Sequence, residues 1–332
     1  MSLNIAVDAM GSDTYPAPDV AGSVLAAREY GDHILLVGDE AVVRPELAKH
    51  DLQGLKIEVV HAPDVITMHD KPGSVGKEKP NSSMHIGMGL VRDGRADAFV
   101  SAGNTGAALS IATLFTLRRI AGIKRPALCG IIRIGEIAVM VLDVGANTDS
   151  KPEWLAQFAQ MGDLFSRLSL GIPKPRIGLL SNGEEDGKGD ELVRTSGALL
   201  KALPLNFIGN VEPKHLLSGM VDVVVTDGYV GNILLKSMEA ATRLMGQTIR
   251  TEIKRSPLTT LGGLLARPAF RSVARMVDPA EVGGAPLLGV NGVIIIGHGS
   301  SNPFAIKNAI RQARKTVLGK VTEAIASEIH VA

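Results

Sequence analysis

The stretch AFVSAGNTGAAL, Ala98 to Leu109, is the part of the sequence that decides the fold. An apolar run ends in a Gly-Asn-Thr-Gly turn, and a helix of small residues is predicted to begin at once. Glycines let backbone N–H groups approach a ligand closely, and the helix behind them points its positive end at the same place. That geometry suits an anion, most often phosphate. The turn Ser101–Gly106 is therefore a candidate phosphate site, and the alternative is a helix N-cap without a ligand.

The same order of strand, turn and helix repeats along the chain, which predicts an α/β fold with a mostly parallel sheet flanked by helices. Most strand-like segments are continuous apolar runs, as expected for strands buried on both faces of a sheet. Helices are predicted at Glu153–Leu168 and Ile233–Ile253, and a long closing helix at Ser301–Glu328, with an interruption at Pro303. The predicted strands are Asn4–Val7, Ile34–Val37, Ile57–Val60, Ala98–Ser101, Ile137–Leu142, Arg176–Leu180, Asn206–Ile208, Val221–Val225 and Val293–Ile296.

Seven turns place glycine beside polar residues directly after an apolar run. Ligands of open α/β sheets bind outside the carboxyl ends of the strands, so these turns are expected to face one cleft. Turns made only for structure would rarely recur in this way. The seven turns are VDAMGSD (Val7–Asp13), VSAGNTG (Val100–Gly106), LDVGAN (Leu142–Asn147), LLSNGEE (Leu179–Glu185), FIGNVE (Phe207–Glu212), TDGYVGN (Thr226–Asn232) and IIGHGSS (Ile295–Ser301).

Composition limits the classes of function. The 332 residues show no repeat and no low-complexity linker, so we expect one domain of two lobes over residues 1–332. The net charge of +1, without a zinc-finger spacing or an RNA-binding aromatic signature, argues against a nucleic-acid partner. Cys129, the one cysteine, is expected to be a buried strand residue rather than a nucleophile. Without a charged leader or an apolar segment of about 18 residues, the expected location is the cytoplasm.

Several familiar kinds of active site find no support in the sequence. A GxxxxGK[ST] phosphate loop, a GxGxxG dinucleotide fingerprint and a GxSxG nucleophile elbow are all missing from it. No cofactor is therefore predicted. Group transfer would then proceed by direct attack between two bound substrates, with proximity and electrostatics supplying most of the rate.

Charged side chains in the turns have two interpretations. Clustered carboxylates bind divalent metals, but they also cap helices and hold amides and lysines in place. The second interpretation is favoured, and no metal site is predicted, because no compact DxD spacing occurs. His298, between two glycines, is either a donor to a developing oxyanion or a residue that merely lines its loop. The other charged residues of the turns are Asp8, Asp13, Asp143, Glu184, Glu185, Lys188 and Asp227.

Taken together, these motifs resemble those of the PlsX-type phosphate acyltransferases, and the resemblance runs nearly end to end. It departs from the family's pattern at Ser12, Lys77, Val282 and the Ser181-Asn182 pair, which puts individual contacts there in doubt. The matching motifs are DAMGSD, HDKP (His69–Pro72), DAFVSAGNTGA, Arg125-Pro126, LDVGAN, FAQMG (Phe158–Gly162), GEED with Lys188-Gly189, IGNVE, TDGYVGN, GGAPLLG (Gly283–Gly289) and GHGSS.

The resemblance implies transfer of a long acyl chain from the thioester of acyl carrier protein to inorganic phosphate, which yields acyl phosphate for phospholipid synthesis. It also implies a homodimer and a fold like that of isocitrate and isopropylmalate dehydrogenases. On this basis Lys188, Asp227, Asn232 and His298 are the predicted catalytic residues. Lys188 would neutralise phosphate or the oxyanion, Asp227 would position Lys188 or take a proton, and the other two would orient the carbonyl. The predicted substrate-binding residues are Asp8, Gly11, Ser101, Gly103, Asn104, Thr105, Gly106, Asn147, Glu184, Gly228, Gly231 and Ser300.

Two basic segments are candidates for contact with partners. Because acyl carrier protein is acidic, Arg118-Arg119 with Lys124-Arg125 would suit its docking, although they also fit a solvated helix end. Residues 253–277 contain basic and no acidic residues, with apolar residues at helical spacing and a break expected at Arg267-Pro268. This amphipathic hairpin would suit a membrane surface or a carrier protein, and peripheral contact with the membrane surface or the downstream membrane acyltransferase is expected. The alternative is a dimer or core hairpin.

Three rival functions remain. Phosphotransacetylase-like exchange between acyl-CoA and phosphate shares the phosphate and the cleft, and differs in the thiol carrier. A dehydrogenase of the isocitrate type would need NAD and a metal. A phosphate- or lipid-binding module without catalysis would leave the charged residues of the turns unexplained.

Overall fold

The computed structural model describes residues 1–135 and 137–329, and it contains a single sheet of eleven strands. The strand order is β3-β2-β1-β4-β11-β10-β5-β6-β9-β7-β8. The strands are β1 (Asn4–Asp8), β2 (His33–Gly38), β3 (Ile57–His61), β4 (Ala98–Ser101), β5 (Ala127–Ile134), β6 (Ile137–Leu142), β7 (Ile177–Leu180), β8 (Phe207–Val211), β9 (Val223–Val225), β10 (Ala285–Leu288) and β11 (Val293–Ile296).

Thirteen α-helices are assigned within those residues. They are α1 (Ala17–Tyr30), α2 (Glu40–Leu47), α3 (Pro72–Glu78), α4 (Ser83–Arg92), α5 (Thr105–Ser110), α6 (Pro152–Leu168), α7 (Glu191–Ala202), α8 (Pro213–Leu216), α9 (Gly228–Ile253), α10 (Pro257–Leu265), α11 (Arg267–Met276), α12 (Pro303–Leu318) and α13 (Val321–Glu328). A π-helical turn continues α5, and a 3₁₀ turn at Pro279–Glu281 joins α11 to β10.

Two central strands reverse the direction of the sheet, which the sequence did not indicate. β10 is antiparallel to both of its neighbours, β11 and β5, and β5 is antiparallel to β6. All other pairs are parallel, so β6, β9, β7 and β8 run opposite to β1, β2, β3, β4 and β11. The carboxyl ends of these strands therefore do not all lie at one edge of the sheet.

The register nevertheless brings the carboxyl ends of the two half-sheets together. Ile295, next to last in β11, pairs with Pro286 of β10. On the other side of β10, Leu287 pairs with Leu128 of β5. The next residue of β5, Cys129, pairs with Leu142, the last residue of β6. Both half-sheets thus end at the same level in the middle of the sheet, and the turns that follow lie on either side of β10 and β5.

The hydrophobic core joins the halves on one face and divides them on the other. One buried cluster runs from Met84 and Phe99, under α4, to Val141 and Val224. The opposite face has one cluster beneath α1 and α12 and a second beneath α6 and α13. Cys129 is fully buried in β5, as expected, and burial raises the pKa of its thiol well above the usual value.

Three helix boundaries differ from the sequence prediction. α9 begins at Gly228 because the Asp227 side chain caps its first turn. Pro303 starts α12 rather than interrupting it, since proline suits the first turn of a helix. The predicted closing helix is instead divided at Gly319-Lys320, where Lys320 has a φ of 53°.

Residues 253–277, for which a hairpin is predicted, contain α10 and α11 with a break at Ala266, and they follow the outer half of α9. We call residues 240–277 the arm. Apolar side chains of the arm are largely open to solvent, with Leu258 79% and Leu265 76% exposed. Within the described part of the chain, no helix has both the length and the apolar character needed to cross a bilayer.

Candidate active site

The turn after β4 is held by a buried carboxylate at the end of β1. The Ser101 hydroxyl donates to Asp8 Oδ2 at 2.7 Å, and the Gly103 N–H donates to the Ser101 hydroxyl oxygen at 3.0 Å. A Cβ added to Gly11 would lie 2.9 Å from Asp8 Oδ2 and 3.0 Å from the Gly103 nitrogen. Glycine is therefore required for the two turns to approach this closely, and four predicted substrate-binding residues come together here.

A second buried carboxylate supports this turn, and sequence reasoning missed it. Asp19, in the first turn of α1, accepts a hydrogen bond of 2.5 Å from the Ser12 hydroxyl. Burial, with a further contribution from the Asp8 charge, raises the pKa of Asp19 to about 7. Burial also raises the pKa of Asp8, against the hydrogen bonds from Ser101, Ser83 and Met10. The available signal was Ser12, which stands where the family usually has glycine.

Asn104 is engaged at both ends of its side chain. Its Oδ1 caps α5 by accepting from the Ala107 N–H at 3.0 Å, and its Nδ2 donates to the carbonyls of Thr67 and Asp70 at 3.3 and 3.2 Å. A Cβ on Gly106 would lie 2.6 Å from Pro72, so the HDKP segment packs directly on this turn. Thr105, between Asn104 and Gly106, is partly exposed. The Asn104 side chain thus orients the turn, and the backbone of the turn is left as the group that could face a ligand.

The turn after β11 joins the same group of residues. Its Gly297 N–H donates to the Ser101 carbonyl at 2.7 Å, and its Gly299 carbonyl accepts from the Asp13 N–H at 2.8 Å. His298 is exposed, with its Nδ1 3.5 Å from the Ser300 hydroxyl and its Nε2 4.0 Å from a carboxylate oxygen of Glu239 on α9. His298 and Ser300 therefore lie where a ligand of the Ser101 turn would be within reach.

The turn after β6 is organised by Asp143, which is fully buried. Its carboxylate accepts five hydrogen bonds, from the backbone N–H groups of Leu128, Gly145, Ala146 and Asn147 and from the Asn147 side-chain amide. Burial raises the pKa of Asp143, while these donors oppose the shift. The Asn147 amide also donates to the Pro126 carbonyl at 2.8 Å, so this predicted binding residue is bonded within the protein.

The start of α9 lies directly against that turn. The Gly228 N–H donates to the Asn147 carbonyl at 2.8 Å. A Cβ would lie 2.4 Å from that carbonyl oxygen at Gly228, and 1.9 Å from the Asp143 carbonyl oxygen at Gly231. Both glycines are thus needed for close packing. Asp227 caps the helix by accepting from Tyr229 and Val230 N–H groups.

α9 connects the turns of the two half-sheets. Asn232, one turn into the helix, lies beside Gly145 in the Asp143 turn. Glu239, about 10 Å further along the helix axis, reaches His298 in the other half-sheet. Glu239 is a second residue that sequence reasoning missed, because a glutamate in the middle of a helix carries no signal of its own.

Lys188 and Glu184 are in the exposed turn after β7, and no hydrogen bond or ion pair among the described residues joins them to these groups. Glu184 forms an ion pair with Lys214 at 2.9 Å, its carboxylate lies 3.4 Å from His215 Nε2, and the hydrogen bond from Lys214 lowers the pKa of Glu184. The side chain of Lys188 packs on Gly183, and its ammonium group has no acidic partner among the described residues. Among the described residues, no hydrogen bond or ion pair joins Asp227 to Lys188, and the Asp227 carboxylate instead accepts from the N–H groups of Tyr229 and Val230.

Four carboxylates of the turns, those of Asp8, Asp143, Asp227 and Glu184, accept from backbone N–H groups or pair with a lysine. Asp8 accepts from the Met10 N–H, Asp143 from four backbone amides, and Asp227 from two. Within residues 1–135 and 137–329, no three acidic, histidine or cysteine side chains converge as a metal site requires.

Solved structures show the same fold in other enzymes. A phosphotransacetylase from Streptococcus pyogenes superposes with a TM-score of 0.65 at 18% identity, over 97% of this chain and 94% of that one. A 4-hydroxythreonine-4-phosphate dehydrogenase from Klebsiella pneumoniae gives 0.52 at 17% identity, over 95% of this chain and 100% of that one. These likenesses confirm the predicted α/β architecture of the dehydrogenase-like kind.

Relatives with similar sequences identify the family. The family described as fatty acid synthesis protein matches residues 3–324. A phosphate acyltransferase from Geobacter sulfurreducens is 48% identical over 98% of this chain and 94% of its own length. One from Pelotomaculum thermopropionicum is 47% identical over 98% of this chain and 95% of its own. The chain therefore belongs to the fatty acid synthesis protein family and, within it, to the PlsX-type phosphate acyltransferases, enzymes that transfer an acyl group to phosphate.

Proposed function

We propose that this enzyme takes its acyl group, a long fatty chain, from the thioester of acyl carrier protein and supplies acyl phosphate for phospholipid synthesis. The observation that supports the proposal is that α9 links two glycine-lined turns. It begins against Asp143–Asn147, and its Glu239 lies 4.0 Å from His298, in the turn that is bonded to Ser101. We assign phosphate binding to the backbone donors of the Ser101 turn, and carbonyl orientation to Asn232 of α9, which lies beside Gly145.

The proposed reaction needs no covalent enzyme intermediate. A phosphate oxygen forms a bond to the thioester carbonyl carbon, the C–S bond breaks, and the carrier leaves as a thiolate that takes up a proton from solvent. A thiolate is a good leaving group, so a strong general acid is dispensable. Cys129 is fully buried and holds its proton, so it is not available as a nucleophile. We assign phosphate or oxyanion neutralisation to Lys188 and carbonyl orientation to Asn232 and His298.

A basic surface supports acyl carrier protein as the donor. Arg119 and Lys124 form no ion pair among the described residues, and Arg125 lies 5.0 Å above the Trp154 ring. These residues lead into Pro126, whose carbonyl is bonded to Asn147 of the site. An acidic carrier that docks on this surface would therefore deliver its thioester next to the Asp143 turn.

The test is phosphate-dependent release of free thiol from a long-chain acyl carrier protein, with the acyl phosphate trapped by hydroxylamine and with no metal or nucleotide added. We expect release with acyl carrier protein that far exceeds release with acyl-CoA of the same chain length. Activity with acyl-CoA alone would replace the proposal with phosphotransacetylase-like exchange. Absence of release with both would leave a module that binds phosphate or lipid without catalysis.

We further propose that the arm makes a peripheral contact with the membrane surface. Leu258, Leu261 and Leu265 are 79%, 55% and 76% exposed, and arginines flank them on α11. An exposed apolar face with cations is the composition that binds the surface of an anionic bilayer. Changing Leu261 and Leu265 to Asp should release the protein from phosphatidylglycerol vesicles, whereas Leu318→Asp, outside the arm, should not. Unchanged binding of the arm variant would contradict this assignment.

The outer half of α9 supports a homodimer. Leu244 and Met245 are 65% and 66% exposed, and they lie between the body and the hairpin. A second copy of the chain would remove this apolar surface from water. We expect a dimer in analytical ultracentrifugation, and Leu244→Asp with Met245→Asp should shift it to monomer. A wild-type monomer at all concentrations would refute the dimer.

A further inference from the structure

A cavity of about 480 Å³ lies at the base of the arm, between α11, the β5–β6 hairpin and α12. A Cβ added to Gly130 would point towards Leu235 of α9. Arg133 is three residues further along the same strand, so its side chain points to the opposite face of the sheet. The cavity is therefore on the side of the sheet away from the start of α9, and it shares no residue with the acyl-transfer site.

Three arginines from three different elements line this cavity. Arg133 comes from β5, Arg275 from α11 and Arg311 from α12. Two of them are oriented by backbone carbonyls, since Arg133 Nε donates to Gly135 at 3.2 Å and Arg311 Nη2 donates to Glu281 at 2.6 Å. Bonds to carbonyls fix the guanidinium groups without neutralising them.

The positive charge of the cavity is not balanced by ion pairs within residues 1–135 and 137–329. None of the three arginines lies within 4.0 Å of an acidic oxygen there, and the same is true of Lys315, one turn beyond Arg311. Partial burial lowers the pKa of Lys315, and the charges of Arg311 and Arg133 add to the effect. Like charges gathered in this way repel each other, so an anion would stabilise the arrangement.

One acidic residue lines the cavity, and its backbone is used in the arrangement. Glu281 gives its carbonyl oxygen to Arg311, and three positive side chains outnumber its single carboxylate in the lining. Glu136, between Gly135 and Ile137, lies outside the described residues and is therefore included in the test below. Ser272 adds a hydroxyl group, and Met276 adds an apolar wall.

The apolar wall continues outside the cavity along α11. Phe270 and Val273 are 41% and 58% exposed on the same helix as Arg275. Guanidinium groups bind phosphate through paired N–H donors, and they do so best when several converge from a rigid frame. A ligand here would thus place a phosphate group among the arginines and any apolar part along α11.

We propose that this cavity is a second anion site, separate from the acyl-transfer site, that binds a phosphate group carried either by free phosphate or by a lipid headgroup. The site goes beyond the proposed function, because its occupancy depends on Arg133, Arg275 and Arg311 and on no catalytic residue. The two sources share the chemistry that the arginines recognise, and they differ in whether α11 takes up an apolar tail.

Equilibrium dialysis of the full chain against labelled inorganic phosphate tests the site. We expect two phosphate ions to bind per wild-type chain. The Arg275→Ala/Arg311→Ala variant should bind one, with affinity at the cavity lowered about a hundredfold, because each lost charge-assisted contact costs about tenfold. Arg267→Ala, at the opposite end of α11, is the matched control and should bind two. Acyl transfer from a water-dissolved substrate should be unchanged in both variants, which separates this result from a failure of the proposed function.

One outcome would overturn the proposal. The double variant could bind as much phosphate as the wild type with unchanged affinity, whether that is two ions or one. If that number is one and Glu136→Gln gains a second ion, the Glu136 carboxylate would be the native counterion of the arginines. A single wild-type ion that the double variant loses would instead support the cavity and count against phosphate binding at the acyl-transfer site.

The source of the phosphate group is decided by competition. Phosphatidylcholine vesicles containing phosphatidate should displace the second phosphate ion if the lipid headgroup is the ligand, and vesicles of phosphatidylcholine alone should not. A second ion that phosphatidate fails to displace identifies free phosphate as the ligand.

Discussion

The turn after β6 and the turn after β7 both contain predicted site residues, but they are built in opposite ways. Asp143 is buried and accepts five hydrogen bonds, and the helix start beside it leaves no room for a side chain at Gly231. Lys188, in the turn after β7, is exposed and has no acidic partner among the described residues. The contrast teaches that the predicted site residues are of two kinds. Some belong to a buried framework that the fold requires, and others are exposed and free to act on a substrate.

Replacing Gly231 is the strongest way to break the frame. In Gly231→Ala the new Cβ would lie 1.9 Å from the Asp143 carbonyl oxygen, and backbone on both sides cannot yield cheaply. We expect the free energy of unfolding to fall by at least about 3 kcal/mol, with loss of activity. Gly246→Ala on the same helix has open space around it and should be neutral or slightly stabilising. Equal urea midpoints for the two variants would contradict this account.

Asp143→Asn keeps the shape of the side chain and removes its charge. One carboxylate oxygen that accepts from backbone N–H groups would become an NH₂ group, and this hydrogen-bond donor would then face the backbone donors. The expected loss is about 2–3 kcal/mol in the free energy of unfolding, from urea denaturation. Asp227→Asn is the control, because asparagine caps helices as well as aspartate does, and its effect should stay below about 0.5 kcal/mol. A larger loss in the control than in Asp143→Asn would reverse the assignment.

The buried carboxyl group of Asp19 should make the free energy of unfolding depend on pH. Its pKa is raised from 3.8 to about 7, so the folded state holds a proton that the unfolded state loses above pH 3.8. Stability from this group is therefore full below pH 3.8 and declines as pH rises to about 7. Between about pH 5 and pH 7 the decline should be about 2 kcal/mol, and Asp19→Asn should remove it. The check is urea denaturation at a series of pH values, with the exposed Asp51→Asn as control; an unchanged slope in Asp19→Asn would exclude the effect.

Lys188→Ala should have the smallest effect on folding, because the side chain is exposed. We expect the free energy of unfolding to change by less than about 0.5 kcal/mol. Phosphate-dependent thiol release should nevertheless fall about a hundredfold, as when one preorganised electrostatic group is removed from an active site. Lys174→Ala, exposed before β7, is the matched control and should retain activity. Full activity in Lys188→Ala would remove the central catalytic assignment.

Local patterns in the sequence predicted much of the fold. Continuous apolar runs located nine of the eleven strands, most of them to within one or two residues. β10 has only four residues and includes Pro286, so it did not resemble a buried strand; Cys129 was expected in a strand, but the bounds of β5, which has Gly130 in its middle, were not predicted. The reversal of the sheet depends on these two strands, and the pairing of distant strands leaves no trace in a local pattern.

The candidate site was predictable where the signal lay in the backbone. Glycines at positions 11, 228 and 231 marked close approach, and the structure places each against a neighbouring turn. The hydrogen-bond partners of these side chains could not be predicted, because a bond such as that from the Ser101 hydroxyl to Asp8 joins residues 93 positions apart. Asp19 and Glu239 were missed since each lies within a helix whose sequence gives no sign of what it faces.

α9 has a consequence for where the enzyme can work. The helix has 26 residues and is therefore about 39 Å long, with Asn232 near one end and the start of the hairpin at the other. A continuous helix of this length fixes the separation of the groups at its two ends. Asn232, in the proposed acyl-transfer site, is therefore separated from Ile253, where the hairpin begins, by about 32 Å along the helix axis.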